Sequence, residues 1–134
     1  MTTIINAVAS TGLTQTADGS GIIKLQSNGV TTNALAWLNY NASTQTIRAS
    51  YNVSSVTYIS TGNYKINFSN ALSDANYVVS GSTAGGSGGS SATTWLTGDY
   101  SNPRTTSAVW LTYLTSSGGA FYDQPWVNIA IFGN

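Results

Sequence analysis

In Gly62-Asn63-Tyr64-Lys65-Ile66-Asn67-Phe68-Ser69, the apolar side chains Tyr64, Ile66 and Phe68 take alternate positions, with Lys65 and Asn67 between them. A period of two is the signature of a strand with one face buried and one face wet. Just before it, Val56 and Tyr58 keep the alternation, and Ser60-Thr61-Gly62-Asn63 supplies the turn of a hairpin. After it, Ala71-Leu72-Ser73-Asp74-Ala75-Asn76 reads as a short turn or a single helical turn that leads into Tyr77, Val78 and Val79.

Working outward, strand patterns recur at about residues 22–26, 34–40, 46–51, 93–97, 108–115 and 126–132, while helical spacing is almost nowhere to be found. The expectation is an all-β chain folded as a small antiparallel β-sandwich. Ala108-Val109-Trp110-Leu111-Thr112-Tyr113-Leu114 and Trp126-Val127-Asn128-Ile129-Ala130-Ile131-Phe132 are apolar on both faces, as strands are when each side meets another layer. In so small a chain the second layer is read as another subunit. Residues 83–94 hold the tract Ala84-Gly85-Gly86-Ser87-Gly88-Gly89-Ser90-Ser91, read as a flexible loop unable to sustain a strand. A further boundary near Thr31 to Asn33 divides an N-terminal anchor or shaft-like segment, 1–32, from a knob-like sandwich domain, 33–134.

The ionisable side chains number eight in 134 residues: Asp18, Asp74, Asp99, Asp123, Lys24, Lys65, Arg48 and Arg104. Histidine, cysteine and glutamate are absent. Acid–base and nucleophilic catalysis near neutral pH rely first on those residues, so the chain reads as a non-enzyme without cofactor or metal. Asp18-Gly19-Ser20-Gly21 lacks the later acidic ligands of a calcium loop and reads as a turn. Four scattered cations at zero net charge make no patch for nucleic acid. No apolar run approaches the ~20 residues of a spanning helix, and no secretory signal is expected at the start. The polar surface must therefore be built from hydroxyls and amides, and with no disulfide the fold relies on packing alone.

Trp37, Trp110 and Trp126 fall on strand patterns among apolar neighbours and read as core or subunit interface. Trp95 stands apart, because the turn-rich run Thr97-Gly98-Asp99-Tyr100-Ser101-Asn102-Pro103-Arg104 follows it. With Gly118-Gly119-Ala120-Phe121-Tyr122-Asp123-Gln124 as a neighbour, that run makes a candidate binding rim of the kind that loops carry. The candidate receptor-binding residues are Trp95, Asp99, Tyr100, Asn102, Arg104, Tyr122 and Asp123. Asp99 and Asp123 would need a separation of roughly 5 to 10 Å to act as a glycosidase pair, and nothing in the sequence favours that beyond both being carboxylates. The sequons at Asn41, Asn52 and Asn67 are what a chain so rich in Asn and Ser produces by chance.

The run from Asn6-Ala7-Val8 through Gly12-Leu13-Thr14-Gln15-Thr16-Ala17-Asp18-Gly19-Ser20-Gly21 to Leu25-Gln26-Ser27-Asn28-Gly29 resembles the opening of short tailed-phage structural proteins. Ala36-Trp37-Leu38-Asn39-Tyr40, Ile47 to Val56, Thr61 to Phe68, Asp74-Ala75-Asn76-Tyr77 and Val127 to Gly133 resemble the distal knob domain of phage tail fibres and related virion fibres. The resemblance implies a virion protein at the particle surface, a homotrimeric fibre, spike or fibre tip with a knob; the expected function is attachment through polar and aromatic contacts to a host surface glycan or glycoprotein. It also implies that the N-terminal segment joins other virion proteins. The chain departs from long fibres in having almost no shaft, which suits a head fibre, adaptor or short spike. The competing expectation is a head-decoration or joining protein that binds only other virion proteins.

Overall fold

The computed structural model describes residues 26–27, 30–84, 95–98, 102–114 and 121–133. In chain order the strands are β1 (Gln26–Ser27), β2 (Val30–Thr31), β3 (Ala36–Asn41), β4 (Thr46–Tyr51), β5 (Val53–Ser60), β6 (Asn63–Phe68), β7 (Val78–Ala84), β8 (Trp95–Gly98), β9 (Ala108–Leu114) and β10 (Trp126–Phe132). Two four-stranded sheets, in the orders β4-β3-β10-β7 and β5-β6-β9-β8, are antiparallel throughout. β1 and β2 form a separate small hairpin. The protein is an all-β sandwich, with no helix among the described residues.

Alternation decides which side chains meet between the sheets. From the first sheet come Ala36, Leu38 and Tyr40 of β3 and Val127, Ile129 and Ile131 of β10. Tyr64, Ile66 and Phe68 of β6 and Val109 and Leu111 of β9 face them from the second. Each such aliphatic side chain, taken fully out of water, favours folding by about 1.5–3 kcal/mol. Aromatic edges complete the packing, Tyr40 against Tyr64 with centroids 5.7 Å apart and Phe68 against Tyr77 at 5.9 Å.

The chain passes from one sheet to the other through a single residue. Asn52, between β4 and β5, has φ 54°, a left-handed conformation that asparagine tolerates better than most. Its amide donates to Leu35 O and Asn70 O, and its Oδ1 accepts from Asn70 N at 2.8 Å. The sequon reading therefore missed a corner post. The β5–β6 hairpin turns at Thr61-Gly62, where Gly62 has φ 71°.

Three expectations need correction. Thr83 and Ala84, assigned to the flexible Gly/Ser loop, belong to β7, because their backbones pair with Val127 and Trp126 of β10. Residues 85–94 lie outside the described residues. Of the reading of Trp37, Trp110 and Trp126 as core or subunit interface, the core half is overturned, since strand alternation turns them to the outer faces of the sheets; Trp37 is 39% and Trp126 46% exposed. Finally, residues 71–77 contain no helical turn and connect β6 to β7 irregularly. The N-terminal anchor, 1–32, is described only at the β1–β2 hairpin and Thr32.

Candidate functional site

The two outer faces of the sandwich use the same residue alphabet and end differently. On β6 of the second sheet, Asn67 Nδ2 donates to Ser55 Oγ and Thr57 Oγ1 at 3.0 and 3.1 Å. Thr112 Oγ1 donates to Asn63 Oδ1, whose own amide reaches Ser60 and Thr61. Lys65 Nζ lies 4.8 Å from the centre of the Trp110 ring across the register pair. The described amides of this face, Asn63 and Asn67, are paired from within.

The outer face of the first sheet differs. Cross-strand register sets Tyr51, Trp37, Ala130 and Ser80 in one row, and Ala49, Asn39, Asn128 and Ser82 in the next. Phe132 and Val78 pair beyond the first row, and Trp126 pairs with Ala84 beyond the second. Residues two apart on a strand share a face about 7 Å apart, so the Asn39–Asn128 row lies between Trp37 on β3 and Trp126 on β10. Trp37, Tyr51, Val78, Trp126 and Phe132 are all exposed. Asn128, Ser80 and Ser82 make no side-chain hydrogen bond among the described residues, and Asn39 only accepts, at Oδ1 from Arg48. Aromatic faces thus flank amides and hydroxyls that still have hydrogen bonds to give.

Arg48 borders this surface. Its guanidinium carbon sits 3.9 Å from the Trp126 ring centre, and its Nη1 donates to Asn39 Oδ1 and Tyr40 O at 3.4 Å. Register irregularity between β3 and β4 at Asn39/Tyr40 brings the side chain onto the outer face beside both.

The candidate rim inferred from the loops is divided. Asp123 is half-buried, and its carboxylate accepts from Gly62 N at 2.8 Å, from Tyr58 Oη at 3.2 Å and from Tyr64 Oη. Its carbonyl accepts from Ser43 Oγ at 2.7 Å, and Ala42 N donates to the carbonyl of the buried Gln124. Asp123 therefore ties the β3–β4 turn of one sheet to the β5–β6 turn of the other. Burial raises the pKa of the Tyr40 phenol, and the negative charge of Asp123 and the neighbouring Tyr58 add to that shift. Arg104, by contrast, donates to Tyr77 O at 2.8 Å and lies 5.7 Å from the Tyr77 ring centre. Tyr77 packs on Phe68 at the far end of β6 from Tyr64; its phenol donates to Thr105 O and Ala108 O. Burial pushes that phenol up in pKa, with Arg104 and the Thr105 contact pulling the other way. Tyr64 and Phe68 are four strand residues apart, roughly 13 Å, so Arg104 and Asp123 serve opposite ends of the sandwich.

Of the remaining rim residues, Tyr122 is 60% exposed beside Asp123 and Asn102 is exposed in the approach to Arg104. Trp95 opens β8. Asp99 and Tyr100 lie outside the described residues. Sequence reading missed Tyr51, Asn39, Asn128 and Phe132, although their alternation with Leu38, Tyr40, Val127, Ile129 and Ile131 marks them as a shared outward face. Among the described residues no three His, Cys, Asp or Glu side chains gather as a metal site. Comparison of the chain with protein-family models, with curated proteins and with solved structures found no match.

Proposed function

We propose that this chain is a binding protein of a phage virion surface, a fibre, spike or fibre tip that attaches to a host surface glycan through the outer face of its first sheet. The observation that carries the attachment reading is the contrast between the two outer faces: the second sheet satisfies its amides internally, whereas the first presents Asn39 and Asn128 between exposed Trp37 and Trp126. Sugars offer apolar C–H faces and rings of hydroxyls, and an aromatic–amide surface complements both. Such contacts are weak singly. Three copies in a homotrimer, and several trimers on a particle, multiply them through effective concentration. The virion setting, the trimer and the joining role of the N-terminal segment rest on the sequence resemblance.

Sedimentation of the purified protein with bacterial cells and immobilised surface polysaccharides tests the reading. Binding that W37A/W126A abolishes, while W110A retains it, is the expected result. Equal binding by all three variants would refute the assigned face. Absence of glycan binding together with capture by other virion proteins would replace attachment with a decorating or joining role.

A further inference from the structure

The chemical class of the glycan is argued from the one described charge on the attachment face. Five charged residues are described: Arg48, Lys65, Asp74, Arg104 and Asp123. Lys65 stacks on Trp110 of the second sheet, Arg104 is tied to Tyr77, and Asp123 is enclosed by Gly62, Tyr58 and Tyr64. Asp74 Oδ1 accepts from Asn76 N in the β6–β7 connection. Arg48 alone of these stands on the outer face of the first sheet, and the partners of both described carboxylates lie elsewhere.

Arg48 is also prepared for an anion. The guanidinium carbon lies over the Trp126 ring, 3.9 Å from its centre, and both of its hydrogen bonds leave from Nη1. Nε and Nη2 have no partner among the described residues, and together they form the edge of the fork that binds a carboxylate through two parallel bonds. The Arg48 to Asn39 bond engages only Oδ1 and leaves Asn39 Nδ2 as a donor. Beyond it, Asn128 and Ser82 continue the row.

We propose that this face selects acidic saccharides, with the sugar carboxylate on the Nε–Nη2 edge of Arg48, a sugar ring against Trp126, and hydroxyls on Asn39 Nδ2 and Asn128. The proposal rests on the attachment reading and adds the ligand class. A bidentate charge-assisted pair at a partly exposed site is worth about 10- to 100-fold in affinity.

The test titrates the full chain with hyaluronate, polygalacturonate, alginate and polysialic acid, each paired with its carboxyl-reduced form, by calorimetry. Wild type is expected to bind at least one acidic polymer tenfold or more tighter than its reduced partner. Arg48→Gln is expected to lose that difference, and Arg48→Lys, which keeps the charge without the fork, falls between. A circular-dichroism melt that overlays the wild-type one reports that R48Q is folded. Equal affinity for acidic and reduced forms in wild type and R48Q overturns the acidic selectivity and leaves attachment standing. Binding to reduced polymers alone does the same. Failure to bind any polymer of either kind overturns the selectivity and counts against attachment as well.

Discussion

Replacing Asp123 with alanine removes the acceptor that joins the two sheets at one end of the sandwich. Three donors point at its carboxylate: Gly62 N, Tyr58 Oη and Tyr64 Oη. Tyr58 Oη has a second partner in Thr61 Oγ1 at 3.3 Å and sits toward solvent, so its loss is small. The Gly62 amide and the Tyr64 phenol lose a charged acceptor in an interior setting, at about 1–3 kcal/mol each. A total near 3.5 kcal/mol is expected. At about 2.1 cal/mol/K of unfolding entropy per residue, a chain of 134 residues loses roughly 12 °C in Tm for that free energy. Asp123→Asn keeps one acceptor oxygen but turns an amide NH2 toward a donor, and about half the loss is expected. Tyr58→Phe should cost less than about 1 kcal/mol. Calorimetric or circular-dichroism melts of the four proteins give the answer. A D123A melt within about 3 °C of wild type would refute the cross-sheet tie, as would a Y58F loss as large as that of D123A.

Asn52→Gly keeps the left-handed corner but drops three side-chain hydrogen bonds, whereas Asn52→Ala also strains the backbone; urea titrations should rank wild type above N52G and N52G above N52A, with N52A lowered by about 2–4 kcal/mol. The raised pKa of Tyr40 means that the folded state holds a proton the unfolded chain releases near pH 10. Its stabilising contribution is therefore complete below about pH 10 and lost as pH rises through the folded value, so urea midpoints should fall above pH 10 in wild type and fall less steeply in Tyr40→Phe. A midpoint that drops equally in both would contradict the assignment. Light scattering behind a sizing column should return about three times the 13.9 kDa chain mass; a folded monomer would remove the trimer from the account.

The fold was legible where one physical rule governs. β4 and β10 were read at their observed ends, Thr46–Tyr51 and Trp126–Phe132, because both are runs rich in β-branched and aromatic residues. The Tyr64, Ile66 and Phe68 face is buried as the opening stretch requires. What the structure overturned was the core half of the reading of apolar strand side chains as core or subunit interface. Trp37, Trp126 and Phe132 sit in strict alternation with buried neighbours, and alternation, not hydrophobicity, decides their side. The division of the rim was hidden for a different reason. Asp123 and Arg104 are polar residues in turn-rich segments, where a residue that caps the interior and one that meets a ligand look alike in sequence. Only the three-dimensional closeness of Gly62, Tyr58 and Tyr64 distinguishes them, and those contacts span 59 to 65 residues of chain.

The Asp123 tie and the proposed attachment face meet at β10. Asp123 and Gln124 hold the approach to that strand, which begins at Trp126, the residue on which Arg48 rests. Perturbing the tie at Asp123 should therefore disturb the Trp126 end of the face more than the Trp37 end.

An amide-resolved NMR titration of the labelled protein with a bound saccharide tests the central claim most directly. The indole Nε1–H signals of Trp37 and Trp126 and the side-chain amides of Asn39 and Asn128 are expected to shift together on saturation, while Trp110 and Asn67 stay in place. Shifts confined to Trp110 and Asn67, or to Arg104 and Asn102, would contradict the outer face of the first sheet as the attachment surface.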